Sequence, residues 1–352
     1  MRIDFIRCIA VAVFVALSAC SGMNRDLPEN AVNPVVVSEK VPHDADDPAI
    51  WVNHADHDGS MILGTDKHEN GAVYVFDLQG RIIANKCVHG LQRPNNIDVE
   101  YGLLLNGKPV DIAVVTERMS GKLRVFTLPD MKAVDKGGIP VFTGERDNAP
   151  MGVALYKRKH DGAIYAVVSR KQGPVDGTYL WQYRLEDSGN GFVRASLVRK
   201  FGIWSGKKEI EAVAVDDRSG FVYYSDEGVG VRKYHADPDM KGGEKELALF
   251  ATDGFTKDHE GIAVFSTTDG SVVIISDQGA GQLHLFRESG SASDGSKGVR
   301  RIGIVKTAAV DTDGIEASSV LSTAGFPAGI LVAMSDDRTF QYYSLKDLGI
   351  LP

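Results

Sequence analysis

Met61–Leu78, "MILGTDKHENGAVYVFDL", is an apolar strand ending at Thr65, two polar residues, a short turn, and a second strand rich in aromatic and β-branched residues. Alone it reads as one β-hairpin. It decides the fold because it recurs in order as Ile112–Leu128 (IAVVTERMSGKLRVFTL), Tyr165–Leu185 (YAVVSRKQGPVDGTYLWQYRL), Val222–Ala236 (VYYSDEGVGVRKYHA), Val273–Glu288 (VIISDQGAGQLHLFRE) and Leu331–Leu345 (LVAMSDDRTFQYYSL). The hydroxyl residue falls at Thr65, Thr116, Ser169, Ser225, Ser276 and Ser335, at spacings of 51, 53, 56, 51 and 59 residues. A four-stranded propeller blade needs about that length.

A second short apolar strand precedes each unit: DDPAIW, NNIDV, MGVAL, IEAVAV, HEGIAVF and TDGIEA. A β-sandwich has no reason to repeat one turn six times, and a β-helix has a shorter period. The expected fold is therefore all-β, a six-bladed β-propeller of four-stranded antiparallel blades over residues 35–352. Asn33–Val41 (NPVVVSEKV) is an extra strand that can close the ring against the last blade.

The N-terminal stretch "MRIDFIRCIAVAVFVALSAC" carries Arg2 and Arg7, an apolar run from Ile9 to Leu17, and then Leu-Ser-Ala-Cys. The run is short for a membrane span. It reads as a lipoprotein signal peptide over residues 1–19, with Cys20 the lipidated first residue of the mature chain. Residues 20–34, polar and Pro-bearing, form a lipidated tether. The expected location is that of an exported lipoprotein, in the outer membrane or facing the periplasm of a Gram-negative bacterium. Beyond Cys20 only Cys87 remains, so the mature chain holds no internal disulfide. The 43% hydrophobic content supplies a large core instead. A net charge of −8 lacks the basic footprint of a nucleic-acid binder. A monomer is expected.

In a propeller, equivalent turns from every blade meet on one face around the axis. The residues that follow the repeated Ser or Thr include Lys67, Arg118 and Lys171 in the first three units, and Glu227, Gln278 and Asp336 in the last three. The strands that start each blade add Asp44, Asp46 and Asp47, then Asn95, Asn96 and Asp98, then Glu209 and Glu211, then Asp258 and Glu260, and finally Asp311, Asp313 and Glu316. Carboxylates and amides with no Cys are the donor set of a hard cation such as Ca²⁺. Any one of these acids is equally at home bonding its own turn; their recurrence at equivalent turns is what points to a site. The histidines read as surface or supporting residues. There is no GxSxG elbow, Walker loop, HExxH or CxxC, and the glycines of GVGV (228–231) and GAG (279–281) open no helix.

At these residues the chain resembles the β-propeller phytases, alkaline calcium-dependent phytate hydrolases of the 3-phytase type. The matching stretches are DADDPAIW, NNIDVEYGLLLNGKPVDIAVVTER, ALYKRKHDGAIYAVVSRKQG, EAVAVDDRSGFVYYSDE, DHEGIAVF and DTDGIEA, in order across residues 43–317. The resemblance implies that Lys67, Arg118 and Lys171 hold substrate phosphates, with Asn95 and Asn96 beside them. It implies Asp46, Asp47, Asp98, Glu211, Glu227, Asp258, Glu260, Gln278, Asp311 and Asp313 as ligands of several Ca²⁺ ions. Glu211 and Glu227, with the three cations, are the expected catalytic set. Met151 stands where relatives carry a phosphate-contacting Tyr, the acidic stretch before it is reduced to ERDNAP, and Ala212 replaces a Gly.

The implied reaction is hydrolysis of phytate or other inositol polyphosphates by a metal-activated water attacking phosphorus in line. Three aspartates crowded in HDADDPAIW (His43–Trp51) are then tolerable because a divalent ion sits among some of them. A calcium-dependent propeller lactonase or esterase, or a non-catalytic surface propeller, would share the acids. Neither needs Lys67, Arg118 and Lys171 facing a polyanion.

Overall fold

The computed structural model describes residues 30–268, 270–288 and 298–350. Cys20 and the signal-peptide reading lie outside these residues. Among them are six antiparallel sheets, one per repeat. Blade 1 comprises Ala45–Trp51, Met61–Asp66, Gly71–Phe76 and Val88–Leu91. Blade 2 comprises Pro94–Leu105, Lys108–Glu117, Lys122–Leu128 and Ile139–Pro140, with the short Lys132–Ala133 as a fifth strand paired to Lys122–Leu128. Blades 3, 4 and 5 begin with Pro150–Lys157, Val213–Asp216 and His259–Thr267. Blade 6 takes Ile315–Ser318, Ile330–Ser335 and Thr339–Ser344 from the end of the chain, and Val36–Val37 from its start, which pairs with Tyr342 and Gln341. That strand closes the ring within 33–41, as the sequence predicts.

The first strand of each blade packs against the first strands of both neighbours in a closed cycle, so these six line the axis. Burial is organised between blades. Each of the six apolar clusters draws on two adjacent blades: Ile112, Val114, Val153 and Val168 between blades 2 and 3, for example, and Ile50, Phe76, Val332 and Phe340 between blades 6 and 1. Each blade alternates residues between two such clusters, so every sheet is buried on both faces.

The repeated hydroxyl has a structural cause. In blades 1, 2, 3 and 5 the inner strand carries a β-bulge that places two residues opposite one: Asp46–Asp47 opposite Thr65, Asn95–Asn96 opposite Thr116, Met151–Gly152 opposite Ser169, and Glu260–Gly261 opposite Ser276. A bulge leaves an N–H unpaired, and the hydroxyl takes it. Asp47 N donates to Thr65 Oγ1 (3.0 Å), Asn96 N to Thr116 Oγ1 (3.1 Å), Gly152 N to Ser169 Oγ (2.8 Å) and Gly261 N to Ser276 Oγ (2.8 Å). Thr116, Ser169 and Ser276 also donate across to the next blade, to Met151 O (2.6 Å), Ile210 O (2.6 Å) and Thr312 O (3.0 Å), as Ser225 of blade 4 does to His259 O, whereas Thr65 bonds back to Asp47 O (3.3 Å). Thr116, Ser169 and Ser276 therefore each repair their own bulge and fix the start of the neighbouring inner strand.

Replacing Ser169 by Ala strands the Gly152 N–H and the Ile210 carbonyl in a dry interface. The expected loss is about 1–3 kcal/mol of folding stability, read as a lower urea midpoint at unchanged slope. Ser169→Thr, which restores the hydroxyl used in blades 1 and 2, should recover most of it.

Candidate active site

The bulge aims its first residue at the axis. Around the ring these positions hold Asp46, Asn95, Met151 and Glu260, and the corresponding strand starts of blades 4 and 6 supply Glu211 and Asp313. Neighbouring strands approach closely here. A Cβ on Gly152 would lie 1.9 Å from the Glu211 carbonyl oxygen, and one on Gly314 would lie 2.5 Å from Asp47 Oδ1.

A second rung comes from the residue two beyond the repeated hydroxyl. Lys67 N donates to Asp44 O (2.7 Å), Arg118 N to Arg93 O (3.0 Å), Lys171 N to Ala149 O (2.9 Å), Glu227 N to Glu209 O (3.3 Å) and Gln278 N to Asp258 O (3.4 Å). In five blades one backbone bond thus locks this residue beside the strand start. The residue directly after the hydroxyl turns the other way and holds the incoming loop. Asp66 accepts His43 N and Asp44 N, Glu117 accepts Gln92 N, Asp226 accepts Ser205 N, and Asp277 accepts Thr256 N. In blade 6 the geometry differs: Asp336 N bonds Val310 O, and Asp336 and Asp337 are exposed rather than in the ring.

These rungs gather most of the predicted residues. Lys67 Nζ pairs with Asp46 Oδ1 and lies 3.4 Å from Asp313 Oδ2. Asn95 Nδ2 bridges Asp46 (3.2 Å) and Glu211 Oε1 (2.6 Å), and Gln278 Nε2 donates to Asp313 Oδ1 (2.6 Å). Glu211, Glu227 and Glu260 bring carboxylate oxygens within 4.8 Å of one another. At the rim Lys171 pairs with Glu209, and Lys208 pairs with Asp258. The Arg118 guanidinium donates to Met151 Sδ, so Met151 fills the place expected of a Tyr by packing against the arginine.

Other predicted residues lie apart. Asp98 is further along the inner strand, accepting Leu155 N (2.6 Å) and Val99 N (2.6 Å). It lines an axial cavity of about 350 Å³ together with Asn96, Glu100, Asp217 and Glu316. Asp47 also faces that cavity and accepts Ile97 N (3.0 Å). Asp311 stands at the rim, 3.9 Å from Lys257. The three crowded aspartates are therefore separated by backbone direction: Asp44 at the rim, Asp46 on Lys67, Asp47 in the channel. Lys67 and the bulge relieve part of that crowding. Lys208 and Arg93 carry no repeat signature and were not expected at the site; backbone register places Arg93 there, and the ion pair with Asp258 places Lys208.

Burial dominates the electrostatics. It raises the Glu211 carboxyl above its ordinary range, with Lys67 opposing and Asp313 reinforcing. It pushes Glu227 up to about 8 and Glu260 up to about 10, aided in both by the neighbouring glutamates. Burial works to lower the Lys67 ammonium, but Asp46, Glu211 and Asp313 outweigh it and hold the charge on. Buried acceptors are left over: Asn95 Oδ1, Glu209 Oε2 and Glu227 Oε1 have no hydrogen-bond partner among the described residues. Orphaned oxygens beside three converging glutamates, with no nitrogen or sulfur donor in the group, fit a hard divalent cation.

The sequence profile of the Phytase family matches residues 8–344. The chain belongs to the phytase family. It is 30% identical over 313 residues to the 3-phytase of Bacillus subtilis (strain 168), an alignment that covers 84% of this chain and 75% of the relative. Among solved structures it is similar to the propeller of Dos1, with a TM-score of 0.43 and 12% identity over 86% of this chain and 68% of that one. The phytase ring, like its sequence repeat, is divided. Blades 1 to 3 contribute Lys67, Arg118 and Lys171, and blades 4 to 6 contribute Glu211, Glu227, Glu260, Gln278 and Asp313.

The glutamates give a pH-dependent signature of stability. Their carboxyls are raised above an unfolded value of 4.5, so folding favours the protonated forms. That contribution is fully present below about 4.5 and is lost as pH rises through about 8 for Glu227 and about 10 for Glu260. A bound divalent cation favours the ionised forms instead. The difference in thermal midpoint between calcium and chelator should therefore widen from about pH 5 to about pH 9. An equal gap at both would dissociate the glutamates from cation binding.

Proposed function

We propose that this phytase hydrolyses phytate, myo-inositol hexakisphosphate, with Ca²⁺ held by Glu211, Glu227 and Glu260 and supported by Asn95, Asp258, Gln278 and Asp313. The single observation that carries the reading is the convergence of three glutamate oxygens within 4.8 Å, within electrostatic reach of Lys67 and Arg118 and beside the Lys171–Glu209 pair. The 3-phytase relative supports the same substrate. A hard cation and fixed basic side chains are the two means by which proteins neutralise a transferring phosphoryl group.

Bound there, calcium supplies positive charge and Lewis acidity next to the reacting phosphate. The chain's own residues supply position. Lys67, clasped by Asp46 and Asp313, cannot swing away, so its ammonium is fixed toward the centre of the ring. Arg118, wedged against Met151, presents the rest of its planar fork to phosphate oxygens. Lys171 closes the third side from the rim, where Glu209 restrains it. These cations stabilise charge on the equatorial oxygens while a water attacks phosphorus in line. Asn95 orients Glu211 through its amide. Export, lipidation at Cys20 and a monomeric working state belong to the same proposal and rest on the sequence.

Phosphate release from phytate should require added Ca²⁺ and vanish in chelator. Turnover that survives chelation would sink the calcium assignment, and no release under any metal would sink the substrate. Glu211→Gln keeps the hydrogen bond to Asn95 but removes a charge from the cluster. It should lower turnover roughly ten- to a hundred-fold while leaving the metal-free thermal midpoint unchanged or higher.

A further inference from the structure

Arg93 is a basic residue at the mouth that nothing in the repeat announces. Its position is fixed by register. The backbone bond that locks the second-rung residue reaches Asp44 in blade 1, Arg93 in blade 2, Ala149 in blade 3, Glu209 in blade 4 and Asp258 in blade 5. Arg93 is the one cation among these five equivalents, in a rung otherwise made of acids and one alanine.

The backbone holds it there at a cost. Arg93 has φ of 58°, in the left-handed region that residues with side chains rarely adopt, and it precedes Pro94. Three neighbours impose this geometry. Arg93 N donates to His68 O (2.9 Å) in the blade 1 turn and to Leu91 O (3.2 Å), while Arg118 N donates to Arg93 O (3.0 Å). Met119 N bonds Gln92 O (3.2 Å) and Glu117 accepts Gln92 N (2.9 Å), so the flanking residue is pinned as well. A strained conformation determined from both adjacent turns marks a position where the side chain is used.

The electrostatics say for what. Glu209 faces Lys171, Asp258 faces Lys208, and Lys67 lies between Asp46 and Asp313. No ion pair or side-chain hydrogen bond occupies the Arg93 guanidinium among the described residues. Its blade partner on the second rung is Arg118, another cation, whose Nε is buried without a hydrogen-bond partner and whose fork otherwise meets a thioether. Burial and the charge of Arg93 both weaken the hold of Arg118 on its proton, against the pull of Glu211. Asp44 and Glu211 lie within electrostatic reach of Arg93 and Arg118 respectively, but neither guanidinium is hydrogen-bonded to a carboxylate among the described residues, so in a chain of net charge −8 the two neighbouring forks keep donors for an anion.

We propose that Arg93 is a substrate-binding residue, which with Arg118 clamps one phosphate group of the inositol polyphosphate between two guanidinium forks. The inference rests on the phytate reading above and adds to it a residue that sets affinity for the polyanion.

The test compares the wild type with Arg93→Gln, Arg93→Lys and Arg93→Gly in saturating calcium, measuring KM and kcat on phytate, thermal midpoint, and binding of inorganic phosphate by calorimetry. Arg93→Gln should raise KM about ten-fold, the equivalent of one charge-assisted contact, with kcat changed less than about three-fold. Arg93→Lys should fall between the two. Arg93→Gly relieves the backbone, so its midpoint should equal or exceed that of the wild type while KM rises as much as in Arg93→Gln; a purely structural arginine would show the reverse. KM values for Arg93→Gln and Arg93→Gly within two-fold of an active wild type overturn the clamp. If the wild type releases no phosphate from phytate, the substrate reading is what fails. Weaker inorganic phosphate binding in Arg93→Gln then still supports the clamp, and equal binding overturns it.

Discussion

A hydroxyl set opposite a β-bulge is the interaction on which the rest of this molecule depends. A regular antiparallel pair sends alternate side chains into the two clusters flanking a blade and leaves none for the axis. The bulge breaks that alternation and turns one side chain toward the centre, at the expense of an unpaired N–H. The buried Ser or Thr removes the penalty and, in blades 2, 3 and 5, donates its own hydrogen bond to the next inner strand. Positioning one blade's ring residue therefore helps position the next. Ring geometry is a collective property of the closed cycle, in which Val36–Val37 from the start of the chain completes the last sheet.

That rigidity lets like charges be held together. Glu211, Glu227 and Glu260 would separate on flexible loops, since burial raises the free energy of each charge and each neighbour raises it further. Here they are fixed by strand starts and by one backbone bond per turn. The resulting mouth is polarised, with fixed cations from blades 1 to 3 and carboxylates from blades 4 to 6. For an anionic substrate the net charge of −8 is repulsive at long range, but screening confines that effect to roughly 10 Å. Within the mouth, Arg118 is desolvated, Arg93 is half-buried, and neither has a carboxylate hydrogen-bond partner among the described residues, so there the local charges decide.

Much of this was legible in the chain. The hairpin count gave six blades, the DDPAIW-type stretches marked the inner strands, and the residue two beyond each hydroxyl named Lys67, Arg118, Lys171, Glu227 and Gln278. Asp98 was not separable from the ring residues, because a shift of a few positions along an inner strand moves a side chain from the mouth into the channel. The fates of Asp44, Asp46 and Asp47 depend on a bulge that composition does not reveal. Lys208 and Arg93 were invisible because neither sits in a repeated word of the sequence: Arg93 belongs to the rung through register, and Lys208 reaches the rim through its ion pair with Asp258.

Register also explains why adjacent acids that look equivalent do different work. In Asp226–Glu227 the first residue is fully buried, receives Ser205 N (3.0 Å) and Arg232 Nε (2.9 Å), and holds the loop that leads into its blade. The second turns into the glutamate cluster. Asp277–Gln278 repeats the division, with Asp277 accepting Thr256 N (2.7 Å) and Gln278 reaching Asp313. Alternation at the end of one strand thus assigns the first residue to stability and the second to chemistry. Because the scaffold residue already satisfies its loop, its neighbour is free to vary from Lys to Arg, Glu or Gln between blades. That freedom is how a fold with near-sixfold repetition builds a site that is cationic on one side and acidic on the other.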